Sequence, residues 1–211
     1  MATYIEQSLA KLKEFEGCVP WMYRDTVGKV TVGVGLMLPD AGAAMALGFT
    51  ALGKPVASAA VAADFARVAA MPEGKSAGFY RSSESPELPQ AAIDDHLQAL
   101  LTKFEANLRG ALPGYDALPD AIKLALLDMA YNLGPEGLLG GYPRLITAVK
   151  QSHWAQAAAE CARHGPSVAR NTWTREQFLS AVVTTIKAEA ETWLARLLQW
   201  FRSLWRKREL L

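Results

Sequence analysis

Glu16, Asp25 and Thr31, spaced by nine and then six positions in "EFEGCVPWMYRDTVGKVTVGVG", are of the types that acid–base chemistry uses. Ile5, Leu9 and Leu12 recur at helical spacing, and at about 100° per residue Glu16 falls within roughly 20° of Ile5. A carboxylate on an apolar helix face loses hydration, so Glu16 is expected to favour its protonated form there. A general acid needs that property. The same position also suits a solvated helix end, since charged residues are rarely buried without a reason.

Gly17 and Pro20 stop this helix, and "WMYR" and "KVTVGVG" then flank the turn "DTVG", which predicts a hairpin over about residues 21–35. Along its second strand Val30, Val32 and Val34 alternate with Thr31, Gly33 and Gly35, so one face is bulky and the other almost bare. A bare strand face lets a ligand approach the backbone. Thr31 is the one hydroxyl on that face, and Asp25 lies across the hairpin from it. Taken alone, Asp25 reads better as turn chemistry, because aspartate before a glycine-containing turn is common.

The remaining chain reads as mainly helical. From Leu36 to Pro89 an alanine-rich stretch offers Val61, Phe65 and Val68 as one helical face, followed by an exposed crossing segment. Ile93, Leu97, Leu100, Leu101 and Phe104 then mark a long helix. "LPDAIKLALLDMAYNLG" is the clearest core helix, with Pro119 suited to its start and Gly134 to its exit. Two helices are expected around Arg144 to Gln151 and His153 to Arg163. "TREQ" reads as a capping box, Thr174 capping the last helix and Gln177 reaching back. Arg175, just after that cap, would oppose the helix macrodipole at a local cost of some tenths of a kcal/mol, which asks for a reason. A break near "TTIKAEAET" is expected, since a continuous helix would run roughly 54 Å.

In 211 residues, 22 basic and 21 acidic side chains leave a formal charge of +1, so no global field points to nucleic acid. Cys18 and Cys161 read as free thiols. His96, His153 and His164 lack ligand spacing, and neither a zinc pattern, a phosphate loop nor a dinucleotide fingerprint is present, so neither metal nor organic cofactor is expected. No apolar run is long enough to span a membrane, and "MATYIEQSLAKLKEF" has a helical period rather than that of a secretion signal.

The frame "E-G … Y-R-D-T-x-G-x-x-T-x-G-x-G" resembles the phage-type lysozyme family, the muramidases of T-even and lambdoid phages. "ALPDAIKLALLDMAYNLG" looks like that family's buried central helix, "HWAQAAAECAR" like its next helix, and "RNTWTREQF" like the segment that returns an arginine to the active site. The likeness covers the first 35 residues and most of Leu88 to Leu179. It implies an α+β, mainly helical, two-lobed fold, with a small hairpin lobe, a larger helical lobe and a peptidoglycan cleft between them. On this reading residues 1–190 are the muramidase domain, with an inserted helical segment at about 37–88 and a helical lobe at about 89–190.

What the resemblance implies about chemistry is specific. Glu16 would protonate the glycosidic oxygen between N-acetylmuramic acid and N-acetylglucosamine, and Asp25 with Thr31 would position the attacking water, with inversion at the sugar carbon. Arg175 would pair with Glu16, while Gly33 and Gly35 would support substrate binding. Leu36 stands where many members have histidine. The middle and late segments also look similar to lysozyme-like domains of type VI secretion effectors. That likeness implies synthesis in the cytoplasm without a signal peptide, delivery into a rival's periplasm, a cognate immunity protein and a secretion spike partner. A phage endolysin released through a holin, a non-catalytic peptidoglycan-binding module and a chitin or chitosan hydrolase are the alternatives.

Residues 191–211 form an amphipathic basic segment. Trp193, Leu197, Trp200, Phe201, Leu204 and Trp205 gather on one face, with Arg196, Arg202, Arg206 and Lys207 mostly off it. Such a helix can lie on an anionic membrane, although packing on its own helical lobe or on a partner is the favoured expectation.

Overall fold

The computed structural model describes residues 2–208, without the side chains of residues 188, 189 and 201–208. The chain forms two compact units, Met1–Glu105 and Ala106–Leu211. The first opens with helix α1 (Tyr4–Glu16), where the Thr3 hydroxyl accepts from the Glu6 N–H and the Glu6 carboxylate accepts from the Thr3 N–H. Leu9 and Leu12 are its buried face, and Gly17, at φ 76°, ends it in a conformation that a side chain would strain.

Strands β1 (Val19–Arg24), β2 (Val30–Gly33) and β3 (Leu36–Met37) form an antiparallel sheet in that order. Tyr23 pairs with Thr31 and Arg24 with Val30, while Val32 pairs with Leu36 across the second turn. The predicted hairpin is therefore present, extended by one short strand.

The next segment holds the hairpin in place. It contains α2 (Ala41–Met45), the small antiparallel pair β4 (Thr50–Ala51) and β5 (Lys54–Pro55), and α3 (Ser58–Ala70). Val61 and Val68 of α3 are buried, as their spacing predicts, with Phe65 half-buried. Arg24 reaches from the hairpin to donate from Nη1 to the Met71 carbonyl at 2.6 Å, and from Nε to Gly28 at 3.0 Å. The expected crossing segment is exposed over most of its length but buries Tyr80 and Leu88, and the Leu88 N–H donates to the Pro20 carbonyl at 2.7 Å. These bonds fix both ends of β1.

Helix α4 (Gln90–Ala111) buries Ile93, Leu97, Leu101 and Leu108, and leaves Leu100 exposed. Lys13 pairs with Asp94 at 2.8 Å, and Tyr4 donates to Glu105, which ties α1 to α4.

In the second unit, α5 (Asp120–Leu133) is buried continuously from Ile122 to Ala130, the condition of a helix surrounded by others. α6 (Pro135–Gly141), α7 (Pro143–Lys150), α8 (Trp154–Glu160) and α9 (Val168–Arg208) complete the unit. α5 and α8 both pack on α9.

Three expectations need correction here. Arg163 lies beyond the end of α8, drawn into a buried cluster: its Nη2 donates to Asp128 Oδ2 at 2.6 Å and its Nε to Asn171 at 3.3 Å. Thr174 caps nothing, because α9 begins six residues earlier, after Ser167, whose hydroxyl accepts from the Arg170 N–H at 3.2 Å. The Thr174 hydroxyl instead lies buried 2.8 Å from Asp128 Oδ2, which removes both the capping box and the dipole argument for Arg175. Finally, α9 has no break: neither glycine nor proline occurs between Val168 and Arg208, and the helix runs through all 41 residues.

Within the described part of the tail Trp193, Leu194, Leu198 and Trp200 are exposed and Leu197 is half-buried. The predicted face's Phe201, Leu204 and Trp205, and the cations Arg202, Arg206 and Lys207, have side chains outside the described residues.

Candidate active site

Asp25 closes the β1–β2 turn. Its N–H donates to the Lys29 carbonyl at 2.9 Å, and its Oδ1 accepts from the Val27 and Lys29 N–H groups at 3.0 and 2.8 Å. The turn-chemistry reading accounts for that oxygen. The other oxygen, Oδ2, faces the hydroxyl of Thr31 at 3.4 Å, and the same hydroxyl lies 3.2 Å from the Lys29 carbonyl. Thr31 is 2% exposed, so its hydroxyl is held by the sheet rather than by solvent.

Glu16 corrects an expectation. It is the last residue of α1 and is exposed, since no further helical turn follows to cover it. The apolar stripe of Leu9 and Leu12 stops short of it.

Tyr23 feels both carboxylates. It sits on β1, two residues before Asp25 in the turn that follows, and directly opposite Thr31. Burial pushes its phenol up from the ordinary tyrosine value, and the negative charges of Asp25 and then Glu16 push it further, with a smaller contribution from Cys18. One phenol thus lies in the field of both carboxylates. The sequence carried a signal for it: a tyrosine placed i−2 to Asp25 and in register with Thr31.

The bare strand face is filled at one of its glycines. A Cβ on Gly33 would sit 3.2 Å from Ile93 Cγ2, so α4 rather than a ligand occupies that space. Gly33 at φ 66° and Gly35 at φ 72° turn the chain from β2 into β3. Beside them is an apolar pocket of about 260 Å³, lined by Gly35, Leu36, Met37, Leu88 and Leu97 among others. Leu36 therefore contributes an apolar wall where a histidine would contribute a polar one.

Arg175 is exposed on α9 in the second unit; burial pushes the Cys161 thiol up, against the lowering effects of Arg163, a backbone hydrogen bond and then Arg175. Cys18 and Cys161 are both free, and Cys18 Sγ lies 3.6 Å from Gln90 Oε1. Among the described residues no group of three or more histidine, cysteine, aspartate or glutamate side chains could hold a metal ion.

A family model described as phage lysozyme matches residues 13–177, which include Glu16, Asp25, Thr31 and Arg175. The chain belongs to the phage lysozyme family. It is accordingly a glycoside hydrolase, a muramidase-type enzyme whose substrate is peptidoglycan. The crystal structure of a P22 lysozyme mutant matches over 85% of this chain and 99% of that one, with a TM-score of 0.50 and 17% identity. That likeness supports the α+β, mainly helical lysozyme-like fold. No curated protein matches the chain. The family match stops within α9, so the distal part of that helix lies outside it.

Proposed function

We propose that this lysozyme cleaves the bond between N-acetylmuramic acid and N-acetylglucosamine, with Glu16 as general acid and Asp25 with Thr31 holding the attacking water. The approach of Thr31 Oγ1 to Asp25 Oδ2 carries this reading. Because backbone donors hold Oδ1, a water beside Oδ2 can donate to it and accept from the Thr31 hydroxyl. Its remaining lone pair then points at the sugar carbon. As the carbon–oxygen bond breaks, Glu16 gives its proton to the leaving oxygen; the water attacks from the opposite face and passes its proton to Asp25. The anomeric carbon inverts, as expected when two carboxylates leave room for a water. Arg175 is taken as a supporting residue on the family resemblance, and Gly33 and Gly35 as the turn that shapes the strand end beside Thr31. Residues 1–190 are taken as the catalytic domain.

The same proposal extends to delivery. Likeness of the central and late segments to type VI effector lysozymes supports an antibacterial protein released into a rival's periplasm, restrained in the producer by an immunity protein and carried by a spike protein.

Purified peptidoglycan treated with the protein should yield muropeptides with new N-acetylmuramic acid reducing ends, and proton spectra taken at once should show the inverted anomer. New N-acetylglucosamine reducing ends, or faster turnover of chitin, would remove the bond assignment. Periplasm-directed expression should lyse cells while cytoplasmic expression does not.

A further inference from the structure

Helix α9 changes character along its length. Arg170, Thr174, Phe178 and Ala181 are buried, but beyond Val182 no described residue is, and Trp193, Leu194 and Leu198 are 64%, 51% and 51% exposed. Apolar side chains of that size on an uncovered face mark a contact surface. Its charge says what kind. Residues 196–208 hold Arg196, Arg202, Arg206, Lys207 and Arg208 with no acidic residue, whereas the whole chain is only +1, so the rest of the molecule is net acidic.

A second copy would bring two such cationic runs together. An anionic phospholipid surface instead complements the charge and accepts the apolar side chains. Tryptophan is the side chain suited to the boundary between headgroups and acyl chains, and this segment contains Trp193, Trp200 and Trp205. No described helix is long and apolar enough to cross a membrane, so the segment would lie on the surface.

We propose that residues 193–208 are an interfacial anchor that holds the enzyme on an anionic phospholipid bilayer. The anchor goes beyond the hydrolytic reading: it adds no catalytic group and concentrates the enzyme at the membrane face. Its failure and the failure of the active-site assignment are separable, because vesicle binding needs no glycan and glycan cleavage needs no vesicle.

The full-length protein is mixed with vesicles of phosphatidylethanolamine and phosphatidylglycerol, or of phosphatidylcholine alone, at low and high salt. Partition should favour the anionic vesicles by about tenfold or more and weaken with salt. Tryptophan emission should shift to the blue on binding. Arg202→Glu combined with Arg206→Glu, and separately Trp193→Glu combined with Leu198→Glu, should each abolish partition while cleavage of soluble glycan strands is unchanged. No partition of the wild type, equal partition to both vesicle types, or tail-dependent dimers in place of vesicle binding would each overturn the anchor. Retention by an acidic protein from the envelope without vesicle binding would overturn it too.

Discussion

Thr31 Oγ1 stands 3.4 Å from Asp25 Oδ2, while the second oxygen of the same carboxylate is held by the backbone N–H groups of Val27 and Lys29. The two oxygens of Asp25 thus have separate partners, and substitution can separate them. Asp25→Asn can keep the turn through its amide oxygen but cannot take a proton, so kcat should fall by about 10²- to 10⁴-fold with little change in melting temperature. A near-normal rate would make Asp25 a turn residue only. Thr31→Val should lower kcat and destabilise by about 1 kcal/mol, and Thr31→Ser should restore the rate.

Tyr23 reports on the carboxylates. Burial, then Asp25, then Glu16 raise its phenol, so its carbon-13 signal should titrate above the ordinary tyrosine value. Because the folded value is raised above the ordinary tyrosine value, this group's contribution to stability is full below the unfolded value and is lost as pH rises through the folded one. Asp25→Asn and Glu16→Gln should each lower the midpoint. If neither moves it, the carboxylates do not share a neighbourhood.

Gly33→Ala meets two obstacles, a φ of 66° and Ile93 Cγ2 at 3.2 Å. The left-handed backbone alone costs about 1–2 kcal/mol. In a double-mutant cycle by urea unfolding, Ile93→Ala should relieve the contact but not the backbone cost. Full recovery would show that packing alone excludes a side chain there.

Asp128 sits between two buried guanidiniums, with Arg163 Nη2 at 2.6 Å and Arg170 Nε at 2.7 Å. Removing the carboxylate leaves like charges together without solvent, so Asp128→Ala should cost about 3–5 kcal/mol in urea unfolding. Activity per folded molecule should hold. A change under 1 kcal/mol would mean that the cluster relaxes into water.

Much of this was legible in the chain. The hairpin around "DTVG" and the buried face of α5 follow from turn residues and from periodicity, both of which are local. For Glu16 both an apolar face and a solvated helix end stay open in the sequence, because periodicity places a side chain on a face without saying whether the next turn exists to cover it. The capping box failed for a similar reason: "TREQ" satisfies the local pattern, but Asp128, 46 residues earlier, claims the Thr174 hydroxyl. Arg163 was likewise assigned to a helix because its cluster partners come from α5 and α9. The packing of Ile93 on Gly33 joins residues 60 apart, which no strand pattern reveals.

The most direct test compares wild type with Glu16→Gln on purified peptidoglycan, with circular dichroism to confirm equal folding. Wild type should release muropeptides while the folded variant loses at least about 10²-fold in rate. Comparable release by both proteins, or wall binding without release by either, would contradict the assignment of Glu16 as the acid.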